Sequence, residues 1–126
     1  MTRFFWICLA GAAGTGARYL VALWTAQRLG AAFPYGTLIV NVAGCFTIAL
    51  LMQLAMTNAW PATLRAALTI GFLGGFTTYS SFNYETTRLL QEGAVATAML
   101  NVLLTVGGGF GAGLAGLLVA RQLTGR

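Results

Sequence analysis

The chain has 126 residues, of which 58% are hydrophobic and 7% charged, and its formal net charge is +5. Its mean hydropathy of +0.79 lies well outside the usual range of soluble domains. This composition excludes a soluble globular protein and indicates an all-α integral membrane protein. Because one crossing takes about 20 apolar residues, we expect roughly four transmembrane helices in a single membrane domain.

The charged residues and the potential catalytic or metal-binding residues exclude several classes of function. The seven basic residues are all arginines that stand singly between apolar stretches, whereas nucleic-acid binding needs a basic patch, so we predict no nucleic-acid partner. Histidine is absent, which removes the commonest general base and metal ligand. Cys8 and Cys45 fall in different spans without metal-ligand spacing, and we interpret them as small buried residues without a disulfide.

Four apolar stretches follow one another with short connections. The first carries three glycines and then Arg18, a charged residue inside the apolar stretch. The second follows Pro34 and Gly36, and the third follows Pro61, a residue suited to a helix start. The approximate spans are residues 4–29, 37–56, 62–91 and 94–120.

Glycine determines the predicted geometry of the last two spans. In the third, Gly74 and Gly75 open a run of hydroxyl and aromatic residues that ends at Phe82, and we expect the glycines to split the span into two half-helices. In hydrocarbon such a segment must line a cavity or pack against protein, because every backbone polar group needs a partner. The fourth span has small-xxx-small spacings that predict close helix contacts. Its glycines are Gly107, Gly108, Gly109, Gly111, Gly113 and Gly116.

The arginines give a weak orientation signal. Four crossings place both termini and the second loop on one side, with four arginines there against two on the other side. This bias is compatible with one preferred orientation or with insertion in both, so dual topology is permitted. The four arginines on the side of the termini are Arg3, Arg65, Arg121 and Arg126, of which the last two lie in a predicted interfacial tail. The two arginines on the opposite side are Arg28 and Arg88.

Two polar residues at membrane depth have alternative interpretations. Arg18 either lines an electropositive vestibule that attracts anions or extends along its helix to the interface. Asn41 has an amide with two donor hydrogens, which either bind an ion that is losing its water or link two helices. The sequence alone does not decide between the two alternatives for Arg18 or between the two for Asn41.

The third span carries the densest polar cluster. Its hydroxyl groups either satisfy carbonyls freed by the break or, with the exposed backbone dipoles, bind an ion. Tyr79 and Phe82 project from one face of a helix and either pack in the core or line one path. On such a path their ring edges can meet an anion. The hydroxyl residues are Thr77, Thr78, Ser80 and Ser81.

The remaining polar residues form no catalytic constellation. Asn101 and Thr105 lie four apart on one face of the fourth span, where they form either a pore-lining track, which we favour, or a hydrogen bond between helices. Glu85 and Glu92 do not suggest acid–base catalysis, since Glu85 can pair with Arg88 at i, i+3. We therefore predict that the protein is not an enzyme.

Three motifs together resemble the Fluc (CrcB) family of fluoride channels. The resemblance covers all four spans in order, and the combination is specific although each motif alone is weak. The motifs are Gly11-Ala12-Ala13-Gly14 with Arg18 and Tyr19, then Pro34-Tyr35-Gly36-Thr37-Leu38 leading to Asn41 and Gly44, then the run from Gly71 to Phe82 with Glu85.

The resemblance implies a fluoride-selective passive channel that exports cytoplasmic fluoride across a bacterial inner membrane. It implies an antiparallel, dual-topology homodimer in the lipid bilayer, with a broken third helix in each chain and two pores per dimer. It also implies a structural sodium ion at the dimer interface. Fluoride, a second copy of the chain and lipid are thus the expected partners.

The resemblance also assigns pore residues by position. Asn41 takes the place of the pore amide, and Tyr79 and Phe82 take the places of two pore phenylalanines, so that Tyr79 adds a hydroxyl to the family pattern. Ser81 supplies a hydroxyl beside them, and Thr105 belongs to the polar track of the fourth span.

Three further assignments come from the resemblance. Arg18 lies near the vestibule. The backbone carbonyls of Gly74 and Thr77 hold the sodium ion, in keeping with the preference of hard cations for oxygen ligands. In the fourth span the chain departs from the family at Asn101, where a tyrosine is expected, and at Gly109, where a serine is common.

Two other classes remain alternatives. A small multidrug-resistance-type exporter also has about four helices per chain, but it needs a membrane carboxylate for proton coupling, and the first span has Arg18 and no acid. A non-transporting membrane scaffold fits the glycine-rich faces but leaves the polar residues of the third span unexplained.

Overall fold

The computed structural model describes residues 1–125 and consists of helices joined by short loops. Arg126, the last residue of the predicted interfacial tail, lies outside the described residues, and residues 121–124 of that tail continue the last helix. In chain order the elements are α1 (Thr2–Leu29), α2 (Tyr35–Thr57), α3 (Ala62–Ala66), a π-helical segment (Ala67–Leu73), α4 (Gly74–Phe76), α5 (Tyr79–Gln91) and α6 (Val95–Thr124).

Three helices, α1, α2 and α6, are long and apolar enough to cross a membrane. Most of their large apolar side chains face outward, as expected where lipid is the solvent. The prediction of an all-α, multi-pass membrane protein is confirmed. The third predicted span is built differently, from the short elements α3 to α5, and we call residues 62–91 the broken segment.

The break in this segment lies at Thr77 and Thr78, which are both extended. Gly74 and Gly75 are helical, so the prediction that the glycine run itself splits the helix is wrong. These glycines serve close packing on α1 instead: a Cβ at Gly75 would contact the carbonyl oxygen of Gly11. Glycine weakens a helix but does not by itself end one.

The π-helical segment has no counterpart among the predicted elements. At Gly71, a Cβ would lie 2.6 Å from the carbonyl oxygen of Ile7, so this segment also packs closely on the backbone of α1. A π-helix needs i→i+5 hydrogen bonds, which leave no periodic signature in an apolar stretch of seven residues.

The other main contact joins α2 and α6. A Cβ at Gly116 would contact the carbonyl oxygen of Phe46, and one at Gly109 would lie 3.3 Å from Cys45 Sγ. The prediction of close contacts along α6 is confirmed for these glycines. It is wrong for Gly107 and Gly111, where a Cβ would have no atom of another helix within 4 Å in the described part of the chain, because helical periodicity places them away from α2.

Candidate functional site

The side chain of Asn41 binds the backbone at the break in the broken segment. Asn41 Nδ2 donates to the carbonyl oxygen of Thr78 at 3.0 Å, and the Thr78 N–H donates to Asn41 Oδ1 at 2.8 Å. Because a backbone N–H only donates and a carbonyl only accepts, these bonds fix the orientation of the amide. Asn41 therefore links two helices, and its second Nδ2 hydrogen remains available to another acceptor.

Hydroxyl groups satisfy other backbone groups around the break. Thr77 Oγ1 donates to the carbonyl oxygen of Leu73 at 2.8 Å, and the Ser81 N–H donates to Thr78 Oγ1 at 3.2 Å. Thr78 is therefore the N-cap of α5. The Leu73 carbonyl also accepts from the Thr77 N–H and is therefore not freed by the break, and Thr78 Oγ1 donates to Ser81 Oγ. The alternative in which hydroxyls satisfy carbonyls freed by the break is therefore wrong for Thr77 and Thr78.

Two carbonyl oxygens lose their usual donors at the break. In an uninterrupted helix, the Gly74 carbonyl accepts from the N–H of Thr78 and the Thr77 carbonyl accepts from the N–H of Ser81. Here both of those N–H groups bind side-chain oxygens instead. Gly74 and Thr77 line the same cavity, and their carbonyl oxygens are of the type that a hard cation such as sodium prefers.

A cavity of about 410 Å³, here called the central cavity, brings four predicted pore residues together. Asn41, Tyr79, Phe82 and Thr105 line it, and the rings of Tyr79 and Phe82 lie 5.8 Å apart at 55°. Its lining contains no charged side chain among the described residues. The two aromatic residues thus line one cavity, and their place along an ion path stays a prediction.

A second cavity, here called the vestibule, has a volume of about 280 Å³ and is lined by Arg18 and Ser81. Arg18 Nε donates to the carbonyl oxygen of Gly75 at 2.9 Å, so the guanidinium is anchored to the broken segment. Ser81 lies here and does not line the central cavity beside Tyr79 and Phe82. Thr78 lines both cavities, and its hydrogen-bond partner Asn41 lines the central cavity.

The vestibule also contains a pair that the sequence analysis missed. Thr37 Oγ1 donates to Glu85 Oε1 at 2.8 Å, and Oε2 of the same carboxyl is buried without a hydrogen-bond partner among the described residues. The predicted pairing of Glu85 with Arg88 is wrong, since Arg88 lies 3.4 Å from Glu92 instead. Thr37 stands in the second resemblance motif, but a separation of 48 residues gives no periodic signal.

Asn101 forms a hydrogen bond between helices and does not face the central cavity. Its side chain is 1% exposed, and Nδ2 donates to Thr86 Oγ1 of α5 at 2.9 Å. Thr105 Oγ1 lies 3.4 Å from Asn101 Oδ1. Of the two residues predicted as a polar track, Thr105 therefore lines the cavity and Asn101 joins α5 to α6.

Because the hydrogen bond between Asn101 and Thr86 is buried, we expect single and double substitutions to differ in their effect on the free energy of unfolding. Thr86→Val leaves the Asn101 amide buried without its partner and should destabilise the fold by about 1–3 kcal/mol. The double variant Thr86→Val/Asn101→Leu removes both polar groups and should be more stable than Thr86→Val alone. Thermal unfolding of the detergent-solubilised proteins measures the difference, and a double variant that loses the sum of both single effects would contradict the interpretation.

The family model described as "CrcB-like protein, Camphor Resistance (CrcB)" matches residues 5–117. The chain belongs to the CrcB family. The match includes the three motifs of the sequence resemblance, and the family prediction is confirmed.

Curated relatives match along nearly their whole length. A protein of Sorangium cellulosum is 49% identical over 124 residues, which are 98% of both chains. One of Anaeromyxobacter dehalogenans is 47% identical over 126 residues, with 99% of this chain and 100% of the relative covered. One of Geobacter metallireducens is 50% identical over 118 residues, or 93% and 95% of the two chains. Each is described as "Fluoride-specific ion channel FluC".

Proposed function

We propose that the protein is a fluoride-selective, passive ion channel that releases cytoplasmic fluoride. The family membership and the description of its relatives as fluoride-specific channels support this function. The structural observation that best supports the channel function is the central cavity, where hydrogen-bond donors and aromatic rings meet at a helix break. An ion channel changes no covalent bond, so the protein is not an enzyme.

The chemistry of the central cavity suits a small, strongly hydrated anion. Such an ion must exchange its water for other donors, and the free Nδ2 hydrogen of Asn41 and the hydroxyl of Tyr79 supply them, whereas the Thr105 hydroxyl donates to Asn101 Oδ1. The edges of the Tyr79 and Phe82 rings carry partial positive charge. Because the described residues that line the cavity include no full cation, the anion is held without a deep binding well and can leave.

The route proposed for fluoride leads from the vestibule to the central cavity. Arg18 supplies positive charge in the vestibule, where its guanidinium is anchored on Gly75. The ion then passes Thr78, which lines both cavities, and the Asn41 amide, which lines the central cavity. Flow follows the electrochemical gradient and needs no coupled ion.

The channel is proposed to be an antiparallel, dual-topology homodimer with two pores in a bacterial inner membrane. Residues 62–91 form the third of four crossings in each chain, since two helical halves at about 1.5 Å per residue together span roughly 40 Å, more than the bilayer core. Tyr79 lines the central cavity yet is 79% exposed in the single chain. A second copy provides the surface that closes the cavity at Tyr79.

A structural sodium ion at the dimer interface completes the proposal. The carbonyl oxygens of Gly74 and Thr77 fit this role because their usual helical donors bind Asn41 and Thr78 Oγ1 instead. When bound, the ion supplies positive charge that neutralises these carbonyl dipoles at membrane depth.

Fluoride release from liposomes tests the function. Purified protein is reconstituted in vesicles loaded with potassium fluoride or potassium chloride, and a potassium ionophore starts the release, which ion-selective electrodes record. We expect rapid fluoride release, chloride release close to that of protein-free vesicles, and little release before the ionophore is added, because the flow carries net charge.

Two outcomes would contradict the channel. One is the absence of fluoride release from vesicles that contain folded protein. The other is release that requires a proton or sodium gradient in a fixed stoichiometry, which would indicate a coupled transporter.

A further inference from the structure

The start of α1 and the start of the broken segment lie at the same end of the molecule. A Cβ at Gly71 would lie 2.6 Å from the carbonyl oxygen of Ile7, and one at Gly75 would contact the carbonyl oxygen of Gly11. Residues further along one segment thus face residues further along the other, which means that the two segments run in the same direction and begin together.

The ends of α2 and α6 lie at this same end of the molecule. A Cβ at Gly109 would lie 3.3 Å from Cys45 Sγ, and one at Gly116 would contact the carbonyl oxygen of Phe46, so these two helices also run in the same direction. The short loop after α2 leads directly into α3, the start of the broken segment. The ends of α2 and α6 are therefore near the starts of α1 and α3.

Three exposed arginines stand at this end, which is here called the basic end. Arg3 is in the first turn of α1, Arg65 is in α3, and Arg121 is in the last turn of α6. The whole sequence contains only two acidic residues, Glu85 and Glu92, and both lie in the second half of α5, towards the opposite end. No acidic side chain of the chain therefore balances the three positive charges.

The charges at the opposite end balance one another. Arg28 in the last turn of α1 and Arg88 in α5 lie there with the two glutamates, and Arg88 lies 3.4 Å from Glu92. In the proposed antiparallel dimer, each face of the membrane carries the basic end of one copy and the balanced end of the other. An excess of positive charge is then present at both membrane faces.

Aromatic side chains flank the arginines of the basic end. Phe4 and Phe5 are 70% and 60% exposed, and the ring of Trp6 packs edge-on against Phe5 with the ring centroids 5.6 Å apart. Trp60 lies in the loop before α3. Because tryptophan rings are enriched at the boundary between membrane and water, these residues place the basic end at the depth of the lipid headgroups.

We propose that the basic end binds the headgroups of anionic phospholipids. Guanidinium groups pair well with phosphate, and a zwitterionic headgroup is a weaker partner because its ammonium group balances its phosphate. Near an anionic membrane surface each arginine contributes about 1 kcal/mol, which is about five-fold in a binding constant. This lipid contact belongs to the folded protein in its bilayer and does not depend on the channel function.

The three tryptophans of the chain report on the two ends separately. Trp6 and Trp60 lie at the basic end, whereas Trp24 lies in the last two turns of α1 and is 54% exposed. Trp24→Phe leaves reporters only at the basic end, and Trp6→Phe/Trp60→Phe leaves one at the opposite end. Each protein is reconstituted in phosphatidylcholine vesicles with increasing fractions of brominated phosphatidylglycerol or brominated phosphatidylcholine. Quenching of the tryptophan fluorescence then gives the relative affinity for the two lipids.

We expect brominated phosphatidylglycerol to bind about five-fold better than brominated phosphatidylcholine at the basic end and about equally well at the opposite end. The preference should decrease when the ionic strength is raised from about 10 mM to about 300 mM, because the Debye length falls from about 30 Å to less than about 10 Å. Absence of a preference at the basic end, or an equal preference at both ends, would overturn the proposal.

Arginine variants in the Trp24→Phe background identify the groups responsible. Arg3→Gln/Arg65→Gln/Arg121→Gln should lose the preference for the anionic lipid, whereas Arg28→Gln/Arg88→Gln should keep it. Retention of the preference by the triple variant would overturn the role of these arginines. The comparison of the two reporter proteins needs no arginine substitution, so it decides the proposal even where the triple variant does not fold.

A soluble anion distinguishes a lipid contact from a site for free phosphate. Millimolar inorganic phosphate, compared with potassium gluconate at the same ionic strength, should leave the lipid preference unchanged. Loss of the preference with phosphate alone would indicate a site for the free anion and would overturn the lipid contact. All of these measurements are made without fluoride, so a failure of the proposed channel function and a failure of this inference are observed separately.

Discussion

Fluoride release should fall to the rate of protein-free vesicles when Asn41 is replaced with leucine. The substitution removes the free Nδ2 hydrogen from the central cavity and both hydrogen bonds to the Thr78 backbone. Each backbone group that is left buried without a partner costs about 1–3 kcal/mol. The fluoride ion also loses a donor in the central cavity, so the barrier to its dehydration rises. The liposome assay measures the loss.

A second buried asparagine provides the control for this result. Asn101→Leu also replaces an amide by an apolar side chain of similar size, but Asn101 joins α5 to α6 and does not line the central cavity. It should lower thermal stability and keep most of the fluoride release. Both variants are compared after size-exclusion chromatography, so that only folded protein is reconstituted. An Asn41→Leu protein that releases fluoride at a rate near wild type would remove Asn41 from the ion path.

The largest effect on folding is expected for Gly14→Val. A Cβ at Gly14 would contact the carbonyl oxygen of Phe72 and lie 3.0 Å from the backbone nitrogen of Phe76. Backbone atoms of two packed helices cannot move aside as a flexible side chain can, and overpacking of this kind costs about 1–3 kcal/mol or more. We expect the thermal midpoint in detergent to fall by on the order of 10 °C, or the folded protein to be lost.

Gly16→Val is the matched control on the same helix. Apart from the nearby backbone of α1 itself, no atom of residues 1–125 lies within 4 Å of a Cβ at Gly16, so the same change in side chain and helix propensity meets open space there. Its thermal midpoint should stay close to that of wild type. Equal destabilisation by the two substitutions would show that valine weakens α1 itself and that close packing at Gly14 is not the cause.

Composition and local spacing were sufficient for much of the fold. The apolar stretches predicted the multi-pass helical class because hydrocarbon demands about 20 apolar residues per crossing. The spacing of Gly109, Gly113 and Gly116 predicted a close helix contact, which α6 makes with α2. The position of Tyr79 and Phe82 on one helical face predicted their shared cavity, because three residues make nearly one turn. Each of these predictions depends only on residues within one apolar stretch of the chain.

Only the tertiary structure decided where the helix breaks and which groups meet there. Glycine runs indicate weak helix but not the site of a break, which here follows from Asn41, 37 residues away, binding the backbone of Thr78. The anchoring of Arg18 on Gly75 and of Glu85 on Thr37 likewise joins residues 57 and 48 positions apart. A hydrogen bond between distant segments leaves no periodic pattern in the sequence, because its geometry exists only once the helices have packed.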